Sequence, residues 1–172
     1  MDNINNRGVT LIECLYSLSI LSVMALAAPP IFNWRADQQL QQTHAELRLL
    51  LSHARQSALQ NNQRYTLCPL HQNGQCSLPW AGPLSLFNDA NGNRRLDTDE
   101  QIIQTMQPNP EIAIHWRGTL PNHSLHFSAA GLTHLSNGTF VLCHPQGQRH
   151  QLIVVNRQGR IRTSRAATPC PI

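Results

Sequence analysis

The chain of 172 residues has no lysine, so all thirteen of its Lys/Arg-type charges are arginine. From Ile112 to the C-terminus it also has no aspartate or glutamate, while six arginines stand there: Arg117, Arg149, Arg157, Arg160, Arg162 and Arg165. Charge of one sign cannot neutralise itself locally, and guanidinium forks match phosphate bidentately. Aromatic residues make up only 5% of the chain, and few lie near these arginines. Base stacking is therefore a poor candidate for holding a nucleic acid, whereas phosphate contact is a good one. The signatures of metal and covalent chemistry are missing as well. There is no Cys-x-x-Cys, no His-x-x-x-His or His-Glu-x-x-His, and no serine or cysteine in a nucleophile elbow. His115, His123, His126, His134, His144 and His150 are scattered over several predicted strands and loops, and surface positions are expected for most of them. No enzymatic activity, cofactor or metal is expected. Internal repeats and low-complexity linkers are also absent, which leaves one modest domain behind the N-terminal segment.

One long apolar run is present. Val9 to Ala28 is 20 residues, and as a helix it would span ~30 Å, one hydrocarbon core. Glu13 is the only charge within it. A carboxylate at that depth costs about 2.5–3.5 kcal/mol, so it needs a partner or a task. A secretory signal has a shorter apolar stretch with its cleavage site behind it; here the run is too long. Arg7-Gly8 followed by Val9-Thr10-Leu11-Ile12-Glu13 closely resembles the class III leader of type IV pilins and type II secretion pseudopilins.

That resemblance implies cleavage by a prepilin peptidase after Gly8 and methylation of the new amino terminus at Val9. The family's usual phenylalanine is absent at Val9, and Cys14 after the glutamate is unusual; neither departure touches Gly8 or Glu13. It implies that Glu13 meets the Val9 amine of a neighbouring subunit, an ion pair that sets axial register while offsetting part of its own desolvation. Pro29-Pro30 should end or kink the apolar helix, and pilins of this family commonly carry proline where Pro30 stands. The implied partners are the prepilin peptidase, the inner membrane before assembly, and other major and minor pilins in a filament. The implied location is a single-pass inner-membrane protein with a periplasmic domain, later displayed on the pilus or cell surface.

Ile31 to Arg64 holds neither glycine nor proline. Leu40, Leu47, Leu50, Leu51, Ala54 and Ala58 recur there at three- and four-residue steps, which predicts an amphipathic helix packed on a sheet. Beyond it, short apolar runs separated by Pro, Gly and Asn predict strands. These are Arg64–Cys68, Leu84–Asn88, Gln101–Met106, Ile112–Trp116, Ser124–Ser128, Thr139–His144, Gln148–Asn156 and Arg160–Ser164. Asn156-Arg157-Gln158-Gly159 reads as a turn with glycine in the left-handed position, making the last two strands a hairpin. The fold class is α+β and pilin-like: a long N-terminal helix, part membrane and part amphipathic, on an antiparallel β domain. The expected boundaries are 1–8 for the leader, 9–28 for the membrane and filament-core helix, 29–63 for its amphipathic continuation, and 64–172 for the β domain.

Cys14 reads as a small apolar packer in the membrane helix. Cys68, Cys76, Cys143 and Cys170 fall in the globular part, in an oxidising compartment if the chain is anchored as a pilin. Four cysteines allow three pairings. Cys68–Cys76, a short clip, and Cys143–Cys170, which would pin the C-terminal arm and contribute about 3–4 kcal/mol, are favoured. Asp89 to Glu100 places oxygen-bearing side chains at the first, third, fifth, ninth and twelfth positions of a calcium loop. The sixth position, where the sharp turn needs glycine, is Arg94. A hydrogen-bonded turn is the better expectation.

The C-terminal arginines carry the functional reading. Strand alternation puts Arg160 and Arg162 on one face, ~6.6 Å apart, with Ile161 toward the core. Gly159-Arg160-Ile161-Arg162 before a final cysteine, together with the leader, Cys68 and Cys76, the Asp/Asn-rich turn and the Cys143 strand, resembles FimT-type minor pilins. In that family a Gly-Arg-x-Arg motif is associated with binding DNA for uptake during natural transformation, which implies this role for Gly159, Arg160 and Arg162. Arg149, Arg157 and Arg165 join them on charge and position. The competing expectation is a structural minor pilin or GspH-like pseudopilin that primes filament assembly and binds no DNA, its arginines being ordinary solvated charge on an edge strand.

Overall fold

The computed structural model describes residues 10–26, 31–119, 123–145, 150–166 and 170. They form two compact units, one up to Trp34 and one from Arg35 onward.

The first unit contains helix α1 (Leu11–Leu26). The Thr10 carbonyl accepts the amides of Glu13 and Cys14 at 3.1 and 3.2 Å, which opens the helix. Ser17, Ser19 and Ser22 donate their hydroxyls back to the carbonyls of Glu13, Leu15 and Ser19, each at 2.8 Å. These groups are satisfied inside the helix, and the outward surface is left to Leu11, Ile12, Leu15, Leu18, Ile20, Leu21 and Val23, all exposed. Glu13 sits in the first turn, where the positive end of the helix dipole favours a carboxylate. Sixteen residues give a helix of ~24 Å, and no described helix is long and apolar enough to cross a membrane. The expected 9–28 span includes Val9, Ala27 and Ala28, which lie outside the described residues, as do Gly8, Pro29 and Pro30.

Helix α2 (Ile31–Asn61) buries Leu40, Leu47, Leu50, Leu51, Ala54 and Ala58 along one stripe. It closes with Gln63 donating to the Ala58 carbonyl at 3.3 Å and Asn62 at φ 52°, a left-handed position that asparagine tolerates. Eight strands follow: β1 (Tyr65–Pro69), β2 (Leu84–Asn88), β3 (Ile102–Met106), β4 (Ala113–Gly118), β5 (Leu125–Phe127), β6 (Gly138–Cys143), β7 (His150–Val155) and β8 (Ile161–Ala166). Each predicted strand is present with ends within two residues of expectation. They make two four-stranded antiparallel sheets, ordered β3-β2-β1-β5 and β4-β6-β7-β8. One core joins the α2 stripe to Leu67, Leu86 and Phe127 of the first sheet and to Trp116, Phe140, Leu142 and Ile153 of the second. Trp80, from the loop after β1, meets the Phe140 ring edge-on at 5.0 Å and Trp116 at 5.9 Å between centroids.

The middle of the first sheet is buried on both faces, since all five residues of β1 are inaccessible, whereas β3 at its edge is exposed except at Met106. Thr66, Cys68, Phe87 and His126 occupy the face away from the core. Two loops lie together there: Gln75 bridges to Arg95, and the Leu96 amide donates to the Gly74 carbonyl at 2.8 Å. The Cys68–Cys76 disulfide, Cα atoms 5.5 Å apart, fastens the first loop to β1. The second loop is the Asp/Asn-rich segment, and most of its hydrogen-bonded acidic oxygens are engaged from within the loop, while Asp89 Oδ1 is buried without a partner. Asp89 Oδ2 accepts the Thr66 hydroxyl at 2.6 Å and the Arg94 amide at 3.2 Å. Glu100 accepts the amides of Ala90 and Asp97. Asn91 and Asn93 donate to Asp97 at 2.8 and 2.7 Å and hold its carboxyl below the usual range. Arg94 itself takes a φ of 62°. Among the described residues no three His, Cys, Asp or Glu side chains converge as metal ligands.

His126 lies beneath this cover, 6% exposed. Burial first, then Arg94, Arg64 and His134, lower its pKa to about 4. Unfolded, it titrates near ~6.5. The neutral ring therefore supports the fold fully above that value, and the support is lost as pH falls toward about 4, because the unfolded chain takes up a proton that the folded chain refuses. Urea unfolding of wild type and His126→Gln across that window should show the wild type losing stability more steeply. Parallel pH profiles would remove His126 as the cause.

Candidate anion interface along the last hairpin

The β7–β8 hairpin pairs Val155 with Ile161 and Val154 with Arg162. Its turn is held from three directions. Asn156 Oδ1 accepts the Arg160 amide at 2.8 Å, and the Gly159 amide donates to the Asn156 carbonyl at 2.9 Å. Thr133 donates its hydroxyl to the Asn156 carbonyl at 2.7 Å and its amide to the Arg157 carbonyl at 3.1 Å. From α2, Arg55 reaches the carbonyls of Gly131 and Gln158 at 3.3 and 3.4 Å. Gly159 is buried with φ 71°, and a Cβ on it would fall on the Gly131 carbonyl oxygen. No side chain fits, so this residue shapes the turn rather than presenting a contact.

From that fixed turn the arginines diverge. Ile161 packs against the core. Arg162 lies on the opposite face of the sheet, at the end of a cross-strand row Arg117, Thr139, Val154, Arg162. Three strand spacings place the two arginines of that row ~14 Å apart. Arg165 alternates to the face of Ile161 and Thr163, toward α2. It borders a hollow of about 480 Å³ with Gln41, His44 and Arg48 of α2 and Gln151, Thr163 and Ser164 of the sheet. Arg160 borders a second hollow of about 280 Å³ with Ser52, Arg55 and Leu59 of α2. Neither hollow has an acidic lining residue. Among the described residues, Arg48, Arg160, Arg162 and Arg165 make no ion pair.

The sequence-predicted residues are thus distributed over two surfaces. Arg160 and Arg165 flank the seam between α2 and β8, Arg162 lies on the outer sheet face, and Arg157 is exposed in the turn. Arg149 lies outside the described residues. Glu13 is exposed on α1, in the other compact unit, and Gly8 and Val9 are outside the description. Cys143 is joined to Cys170, Cα atoms 5.9 Å apart, bringing the C-terminal arm to the end of β6. Sequence reasoning missed His44, Arg48 and Arg55. The signal available was the seven-residue spacing of Arg48 and Arg55, which puts both on one side of a helix, ~10.5 Å apart along its axis.

The family model described as type II transport protein GspH matches residues 44–159, more than half of the chain. The match ends at Gly159, just before Arg160 and Arg162, and begins well after the N-terminal segment. No curated protein matches the chain in sequence. Among solved structures, the type IV minor pilin FimU of Pseudomonas aeruginosa PAO1 is similar with a TM-score of 0.57 and 18% identity, over 81% of this chain and 96% of FimU. A second crystal form of FimU gives 0.55 and 17%, over 77% and 97%. The minor pseudopilin EpsH of the Vibrio cholerae type 2 secretion system gives 0.52 and 8%, over 73% of this chain and 96% of EpsH. At these identities the likeness is one of fold.

The turn geometry makes Gly159→Ala informative. A left-handed alanine costs about 1–2 kcal/mol, and here the added methyl group must also displace the Gly131 carbonyl. Urea unfolding should show a loss of at least that size, and an unchanged midpoint would contradict the close approach.

Proposed function

The chain belongs to the GspH family of type II transport proteins, and on that footing we propose that it is a minor type IV pilin that binds extracellular DNA without sequence preference. In this reading Arg160 and Arg162, supported by Arg157, Arg165 and Arg149, contact backbone phosphates, and the protein supports DNA uptake in natural transformation, as its FimT-like Gly-Arg-x-Arg suggests. The observation that carries the reading is the hairpin itself. Thr133, Asn156 and Arg55 fasten its turn, and the strand leaving it presents arginines that make no ion pair among the described residues, in a segment without Asp or Glu. Preorganised cations bind a polyanion with little ordering cost. Binding of this kind is electrostatic, and three or four phosphate contacts give a log–log salt slope of about −3 to −4.

The N-terminal segment is assigned the family's assembly role. A prepilin peptidase would cleave after Gly8 and methylate Val9, the apolar helix would hold the subunit in the inner membrane, and Glu13 would pair with the Val9 amine of a neighbour as the filament forms. An apolar face as exposed as that of α1 calls for cover by lipid or by other helices.

The second reading is a structural minor pilin or GspH-like pseudopilin that primes assembly and binds no DNA. What favours it is that the family match ends at Gly159, so membership extends to the fold without Arg160 and Arg162.

Gel retardation separates the two. The core lies within the unit that begins at Arg35, so a fragment from there is suitable. It should retard DNA at low salt, and Arg160→Gln/Arg162→Gln should weaken binding about tenfold or more. Equal retardation by both proteins, or none by either, would sink the DNA assignment. Independently, Glu13→Val in the full chain should impair incorporation into pili and leave its DNA binding in detergent intact. Normal incorporation would count against the register role.

A further inference from the structure

The larger hollow on the α2–β8 seam is furnished with donors and lacks a counter-charge. Arg48 enters from α2 and Arg165 from β8, with Gln151, Thr163 and Ser164 between them. His44 lines the hollow as well, and its Nε2 is buried without a hydrogen-bond partner. The ring is hydrogen-bonded to the Leu152 backbone, which favours its protonated form, whereas burial above all, and then Arg48 and Arg165, disfavour it. Two guanidinium groups therefore act on a ring with an unpartnered nitrogen, at the wall of a space of about 480 Å³ with no acid lining it. A pair of like charges, here both exposed, raises the local concentration of anions, and guanidinium forks select planar or tetrahedral oxyanions.

We propose that this hollow is a phosphate-binding site in which Arg48 and Arg165 grip one phosphate group from two elements and His44 Nε2 meets it as a third ligand. Resting on the DNA reading above, the phosphate is one of the DNA backbone. The nucleic acid then follows the seam between α2 and β8 as well as the outer face that carries Arg162. The second hollow, with Arg55 and Arg160, is the next contact along the same path. Arg48 and Arg55 are ~10.5 Å apart along the helix axis, on one side of α2.

His44 gives the site a signature that a diffuse positive patch lacks. The groups facing the ring are Arg48 of α2, Arg165 of β8 and the Leu152 backbone of β7, so among the described residues nothing negative stabilises its charged form until a phosphate enters. Occupancy then draws a proton from solvent onto the ring, and binding tightens as pH falls. A phosphodiester keeps its single charge over this range, so the proton belongs to the protein.

The test uses the full chain in detergent micelles and a fluorescent duplex of about 20 base pairs, with anisotropy read at about pH 7.5 and 5.5 over a salt series. Arg48→Gln/Arg165→Gln should weaken binding about tenfold and reduce the salt slope by about 1. His44→Gln should lose the tightening that the wild type shows between the higher and the lower pH, and binding as pH-dependent as the wild type's would overturn the role of His44. If the wild type binds DNA and the double variant binds it equally, the inference is overturned while Arg160 and Arg162 keep the DNA reading. If the wild type binds no DNA, that reading fails, and inorganic phosphate becomes the deciding probe. A saturable shift of the His44 ring resonance in wild type, absent from the double variant, then supports a site for small phosphates. No shift overturns the site altogether.

Discussion

The apolar stripe of α2 is the constraint on which the domain depends. Leu40, Leu47, Leu50, Leu51, Ala54 and Ala58 are all essentially inaccessible, and each buried leucine contributes about 1.5–3 kcal/mol. Two sheets of four strands share this single helix as their common wall. Because the stripe fixes the rotation of the helix, it also fixes where the other positions point. Arg48 and Arg55 are set beside β8 by the same residues that close the core, so the seam is a by-product of packing.

Rigidity at the far end has a different source. The β7–β8 turn is held by a buried threonine, an asparagine side chain and an arginine reaching from α2, and Gly159 allows the chain to approach Gly131 closely. These are short-range polar contacts around one backbone position. They orient the strand that follows, and with it the alternation that sends Arg162 one way and Arg165 the other. A loop carrying the same arginines would lose affinity to the ordering of each side chain.

Much of this architecture was legible in the sequence because it is written in local periodicities. The three- and four-residue recurrence from Leu40 to Ala58 gave the helix stripe, and the turn at Asn156–Gly159 announced the last hairpin through a glycine that had to be left-handed. Partition into two sheets was not legible. A period of two tells which face a residue takes but not which strand it pairs with. Burial of both faces of β1 was hidden as well, since Thr66, Cys68 and His126 do not look like core residues. Their cover comes from loops whose hydrogen bonds depend on Asp89 and Glu100. At the candidate site, strand alternation placed Ile161 and Arg162 correctly, but the expectation that Arg160 shares the face of Arg162 fails, because Arg160 precedes β8 and borders the seam with α2. Alternation also meant that Arg165, three residues beyond Arg162, belonged to the other face, and it gave no hint that α2 would bring Arg48 and His44 to meet it.

The outermost position of β8 has a consequence for crowding. In the order β4-β6-β7-β8 it is the last strand, with one side of its backbone left without a partner strand. Such a strand invites extension by another copy. Here the inviting strand carries Arg162 on one face and Arg165 on the other, so two copies laid edge to edge would place like charges opposite each other on both faces at once. Wherever many copies are held close together, those like charges oppose the merging of their sheets, and an anion held by Arg165 weakens that opposition on one face.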